Sequence, residues 1–249
     1  MMKNYNCGLV SISFRKYTPE EIVIAVKNAG LECIEWGSDI HAPRNDMNRL
    51  LEIRKLQEEY GVYCSSYGTY FRFGRDDIKD LYEYIKAAKV LGTNILRLFC
   101  GKKSADKYSE DEKNDLIKQC KKAAEIAEEN DVVFCLESHH DTYTETIEGT
   151  LELMQKVDSP AFRMYWQPNQ VVSDECNINY ATLVSPYSMH IHAFNWKGEE
   201  RYPLSLGKEM WKKYLDCFEK NKTVLLEFMP DDKLETLAEE TRALIEITQ

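Results

Sequence analysis

TPEEIVIAVKNAGLECIEWG, residues 18–37, packs a helix and a strand into one short stretch, and its reading decides the fold. Thr18 stands as N-cap, Pro19 occupies the first helical position and Glu21 the third, and Gly30 ends the helix. This is a capping box with proline at the start and glycine at the end. The run LECIEWG (31–37) that follows is short, apolar and closed by glycine, as a buried strand is. The same unit recurs outward in both directions. Strand-like runs stand at 7–14, 62–71, 94–101, 132–137, 161–167, 187–194 and 223–228. Helical runs stand at 45–61, 76–92, 109–130, 146–156, 177–184, 207–220 and 233–247. The helix at 76–92 carries Ile78, Leu81, Ile85 and Ala88 on one face, and that at 109–130 opens on a second capping box, Ser109 to Glu112. Alternating strands and helices imply a parallel sheet. Eight such units in 249 residues favour a (β/α)8 TIM barrel over an open doubly wound sheet. The first strand–helix turn also lacks G-x-G-x-x-G, so it carries no dinucleotide fingerprint.

Composition narrows the field of functions. With 43% hydrophobic residues and no linker-like segment, residues 1–249 read as a single barrel domain. The N-terminus has no long apolar run and nothing resembles a membrane span, so the expectation is a soluble, cytoplasmic protein. The net charge of −10 argues against nucleic acid as a partner. The eight cysteines lie at least 15 residues apart, so no CxxC pair exists. Cys7, Cys33, Cys64, Cys100 and Cys135 fall in strand-like runs and read as buried free thiols. The partner is a small molecule, and homo-oligomerisation is left open.

In a barrel of this kind the active site lies at the C-terminal ends of the strands. The fifth strand ends in Glu137, the sixth in Gln167 and the eighth in Glu227. The seventh contains MHIHAFNW (189–196), which puts His190 and His192 on one face and Met189, Ile191 and Ala193 on the other. A carboxylate closing an apolar run is costly unless it is paired or binds a metal. Glu137, Gln167, His192 and Glu227 can converge on one divalent ion, be it Mn2+, Zn2+, Mg2+ or Co2+. Buried ion pairs with a barrel lysine or arginine are the alternative for the two glutamates, and a satisfied core histidine the alternative for His192. His190, roughly 6 to 7 Å deeper, reads as a packed interior residue or a support behind the ligand.

Here the chain resembles the xylose isomerase-like barrels, which include sugar isomerases and epimerases, ketose 3-epimerases, inosose dehydratases and AP endonucleases of family 2. The resemblance runs through IEWGSDIH (34–41), LESHH (136–140), HIHAFNW (190–196) and LLEFMP (225–230). It implies Glu137, His192 and Glu227 as metal ligands. Gln167 stands where the family usually has aspartate, and Asn169 and Gln170 stand where a histidine often follows. An amide oxygen ligates hard cations but adds no charge. The family's Glu-x-His pattern places His139 against substrate. His41, Trp36 and Arg201 are further candidates for substrate contact at the mouth.

With two strand-end glutamates, Glu137 and Glu227, as acid and base, the leading expectation is a metal-dependent isomerase or epimerase working by proton transfer through an enediolate. The loop MPDDKLE (229–235) is acidic and free of glycine, so the expected substrate is an unphosphorylated ketose or polyol ketone. The alternatives are an inosose-type dehydratase and a non-catalytic, degenerate sugar-binding barrel.

Overall fold

Parallel pairing carries the chain all the way round a closed barrel in the computed structural model, which describes residues 5–220 and 222–249. The strands of the barrel are β1 (Asn6–Val10), β2 (Cys33–Gly37), β3 (Tyr63–Phe73), β4 (Ile95–Cys100), β5 (Val133–Glu137), β6 (Phe162–Trp166), β7 (Ser188–Ala193) and β10 (Thr223–Leu226). Their order around the barrel is β1-β10-β7-β6-β5-β4-β3-β2. An antiparallel hairpin, β8 (Trp196–Lys197) and β9 (Glu200–Arg201), is inserted after β7. Helices α1 (Pro19–Ala29), α2 (Met47–Tyr60), α3 (Leu81–Leu91), α4 (Glu110–Glu129), α5 (Ile147–Val157), α6 (Asp174–Val184), α7 (Lys208–Leu215) and α8 (Leu237–Thr248) complete the eight units. Among the described residues no helix is long and apolar enough to cross a membrane.

Local chemistry sets these boundaries. Both halves of the Thr18–Glu21 capping box form, and Gly30 closes α1 in the left-handed region at φ +84°. The Ser109–Glu112 box opens α4 in the same way. Parallel barrel strands are covered on both faces, and β2 is accordingly buried at every residue although it contains a glutamate. Cys7, Cys33, Cys64, Cys100 and Cys135 are buried and free.

Some boundaries differ from the sequence reading. The expected strand 7–14 stops at Val10, and Ser11–Phe14 form a 3-10 turn. That turn makes Ser11 and Ser13 ties between loops: Ser11 Oγ accepts from the Gly37 amide at 2.9 Å, and Ser13 Oγ from the Phe228 amide at 2.9 Å. Helix α6 starts at Asp174 rather than 177, because Ser173 caps it by accepting from the Cys176 amide. Helix α3 starts at Leu81 because Asp77, accepting from the Lys79 amide, holds a separate 3-10 turn over Ile78–Asp80.

The strand registers slip at Ile34/Glu35, between Gly68 and Arg72, and at Met164/Tyr165. Such irregularities re-aim side chains beside active sites. Here the first slip lies at Glu35 itself, and the second lies beside the strand that carries Arg97.

Candidate functional site

Five charged or ionisable groups meet inside the barrel where an apolar core is the norm. Arg97 on β4 is 2% exposed, and its Nε donates to Glu35 Oε1 at 2.7 Å while Nη1 donates to Glu137 Oε2 at 2.6 Å. Glu35 is further held by the Ser66 hydroxyl at 2.9 Å. Gly68 leaves the room for this network: a Cβ there would lie 2.7 Å from Glu35 Oε1 and 2.9 Å from Arg97 Nη2. Burial raises the cost of ionising Glu35 and Glu137, but the Arg97 charge outweighs it, and both carboxyls titrate well below their usual range, Glu137 at about 2.

His192 on β7 sits above this pair with no exposed surface. Its Nδ1 is 3.2 Å from Glu137 Oε1 and 3.4 Å from Glu227 Oε2, and its Nε2 is 3.6 Å from Glu35 Oε2. Neither ring nitrogen has a well-aligned hydrogen bond within the described residues. Ligand atoms of Glu137, His192 and Glu227 all lie within 4.8 Å of one another. Gln167, one residue beyond β6, brings a buried Oε1 that likewise finds no partner among the described residues. Two carboxylates, an imidazole nitrogen and an unused amide oxygen are a fitting donor set for a divalent cation. Glu35 stands behind Nε2, as the carboxylate that orients a metal-binding histidine does. Burial disfavours the imidazolium, yet Glu227, Glu35 and Glu137 together raise the His192 pKa well above its ordinary value. A proton and a cation therefore compete for this ring.

The mouth above the cluster is a cavity of about 240 Å3, lined among others by Arg15, Tyr70, Phe99, His139, Trp196 and Phe228. His139 is part of this lining. Its ring stacks on His140 at 4.1 Å, meets Phe99 edge-on at 5.6 Å, and its Nδ1 lies 2.7 Å from the His140 carbonyl. Glu137, Gln167 and Glu227 line the same cavity.

Three of the other candidates fall outside its lining. Trp36 alternates to the outer face of β2, is fully buried, and donates to Gln57 Oε1 at 3.0 Å. His41 is buried, 3.0 Å from Ser11 Oγ. Arg201 lies over the Trp196 and Phe228 rings, at 5.0 and 4.9 Å, and pairs with Asp232. It supports the wall of the mouth from behind. His190 packs against Tyr165 at 5.0 Å with Nε2 3.3 Å from the Ser65 carbonyl, and burial lowers its pKa.

Sequence reasoning missed Glu35 and Arg97. The signal was present: CIEWG and ILRLFC each hold one charge inside an otherwise apolar strand. A lone buried charge requires a partner, and each here is the other's. The two readings of Glu137, metal donor and ion-pair partner of a barrel arginine, are compatible, because its two oxygens face different groups.

A family model for the xylose isomerase-like TIM barrel matches residues 23–244. The chain belongs to this family. A 3-dehydroshikimate dehydratase of Bacillus anthracis is 31% identical over 72 residues, 29% of this chain and 26% of that protein. The match thus spans about a quarter of that relative. Among solved structures, the probable 3-DHS dehydratase involved in petrobactin synthesis from Bacillus anthracis superposes with a TM-score of 0.78 at 19% identity, over 96% of this chain and 98% of that one. D-psicose 3-epimerase from Clostridium cellulolyticum H10 gives 0.72 at 12%, covering 98% of each chain. A xylose isomerase-like barrel from Mycobacterium smegmatis in complex with magnesium gives 0.72 at 15%, covering 99% and 97%. At these identities the structural likenesses establish the fold.

Proposed function

We propose that this barrel removes the proton next to the carbonyl of a small, unphosphorylated polyhydroxy ketone and expels a neighbouring hydroxyl, a dehydration. Glu137, His192, Glu227 and the Gln167 carbonyl hold one divalent cation. When bound, the ion polarises the carbonyl and stabilises negative charge as the proton leaves.

The observation that carries the reading is the inequality of the two strand-end glutamates. Glu137 is tied to Arg97 at 2.6 Å and lies 3.2 Å from His192, so Arg97 holds it ionised and makes it a poor base. Glu227 has only His192 within ion-pair distance among the described residues, at 3.4 Å. It is the carboxylate that no arginine restrains, and it is the one assigned as base. His139, at the mouth, stands where it can protonate a departing hydroxyl. One free base suits elimination, and the stretch of likeness to a 3-dehydroshikimate dehydratase supports the same chemistry.

A second reading, epimerisation or isomerisation of a ketose, is favoured by a different observation: carboxylates flank His192 Nδ1 on two sides. Mass spectrometry separates the two. The Mn2+-loaded protein is incubated in heavy water with inososes, 3-dehydroshikimate and ketohexoses. Dehydration gives a product lighter by one water. Epimerisation or isomerisation by proton transfer gives a product of substrate mass carrying deuterium beside the carbonyl. An unlabelled product of substrate mass denotes a hydride shift and rejects Glu227 as base, as does undiminished turnover by Glu227→Gln. A protein that purifies with little ion and turns over none of these ketones is the degenerate, non-catalytic barrel.

A further inference from the structure

Beside the mouth lies a second and larger cavity, about 550 Å3, between the start of α6 and α7. Gln170, Phe194 and Trp196 line both spaces and form the partition between them. The mouth alone accommodates a single sugar-sized ring, so the side cleft is more than such a ketone requires.

The chemistry of the cleft is set by which of its polar groups are already used. The Asn177 side chain accepts from the Asn169 amide at 2.8 Å and donates to the Asn169 carbonyl at 3.0 Å. Asn195 donates to the Pro203 carbonyl at 2.9 Å, and Asp174 accepts from the Tyr214 hydroxyl at 2.6 Å. Trp211 spends its Nε1–H on the Phe194 carbonyl at 2.8 Å. What remains to meet a ligand is a row of rings and hydrocarbon, Phe194, Trp196, Trp211, Met210 and, at the rim, Val172 and Leu206, with the Gln170 amide and the Lys197 ammonium beside it. Leu206 is 73% exposed and Val172 43%, apolar side chains open to solvent among the described residues. Trp196 itself has a buried Nε1–H without a partner among the described residues.

The geometry points to a substrate of two parts: a polyhydroxy ring over the Glu137–His192–Glu227 cluster, and a flat, apolar group attached to it that lies in the side cleft past Trp196. The ligand class is an aryl glycoside or its ketone rather than a free monosaccharide. The apolar part is held by stacking and burial, and the sugar part by the polar mouth. This inference rests on the reading of the mouth as a polyhydroxy-ketone site, which its test treats separately.

The test is calorimetric binding to the Mn2+-loaded full chain. The probes are phenyl and methyl β-D-glucopyranoside, and the same pair in the galactose series. The phenyl compound is expected to bind at least about tenfold tighter, the ratio that ~1.4 kcal/mol represents. Met210→Trp fills the cleft and abolishes this preference, and Val172→Trp, at the exposed rim, does the same if the first variant folds poorly. Equal affinities for phenyl and methyl compounds in both series overturn the two-part substrate and leave the dehydratase reading standing. So does a preference that survives both filling variants. Binding of neither compound in either series overturns the sugar-binding mouth as well. Retention of the phenyl preference by Glu227→Gln, together with lost ketone turnover, separates the cleft from the chemistry.

Discussion

Replacing Arg97 by methionine tests the electrostatic centre of the barrel. The residue is 2% exposed and makes two charge-assisted bonds, 2.7 and 2.6 Å, to carboxylates that are themselves buried. Methionine keeps the stem volume and leaves Glu35 and Glu137 with only His192 as a cationic partner. Breaking a buried pair from one side costs about 3–5 kcal/mol, because a charge is left uncompensated. For a chain of this size each kcal/mol shifts Tm by roughly 2–4 °C, so a fall of about 6–20 °C is expected. Arg97→Lys reaches only one carboxylate and should lose one charged hydrogen bond, about 1.5–3 kcal/mol. Adding Glu35→Gln to Arg97→Met removes one of the stranded charges. The double variant should therefore be more stable than the sum of the single losses, with a coupling of about 0.5–3 kcal/mol. The assay is urea unfolding followed by tryptophan fluorescence on chelator-treated protein. Stability of Arg97→Met within about 0.5 kcal/mol of the parent, the range of an inconsequential surface change, would refute the buried network.

The acid limb of stability follows from the same groups. Glu35 and Glu137 titrate lower in the folded chain than unfolded, so their contribution is complete above the ordinary carboxyl value and is lost as pH falls from there through the lowered folded value. For Glu137, moving from 4.5 to about 2, the loss is on the order of 3 kcal/mol, and it should shrink in Arg97→Met when measured by unfolding between those pH values. Glu227→Gln and His192→Ala should each purify with far less than one equivalent of divalent metal by elemental analysis; a full equivalent in both rejects the ligand assignment. Gln167→Asp should tighten metal binding by about tenfold or more, since it adds a charge where an amide oxygen now points. An unchanged affinity by calorimetry would place Gln167 outside the ligand set.

The order of strands and helices, the caps and the ends of the strands are local properties, and they are written in the sequence. Thr18 with Glu21, Ser109 with Glu112, and the glycines that stop α1, α2 and α3 act within a few residues of themselves. So does the period of two that sends His190 and His192 to one face. Barrel topology then brings every strand's C-terminal end to one mouth, so Glu137, Gln167, His192 and Glu227 could be named before any contact was known. Which side chains complete that site is a matter of tertiary distance. Glu35 and Arg97 are 62 positions apart and meet only because the barrel closes and Gly68 leaves them room. Trp36, one position from Glu35, goes to the other face and into the helix layer. Arg201 is drawn to Asp232 and two aromatic rings, a destination that no spacing along the chain encodes. Local pattern therefore specified which polar side chains stand at the strand ends, and packing across the barrel decided which of the two carboxylates Arg97 restrains.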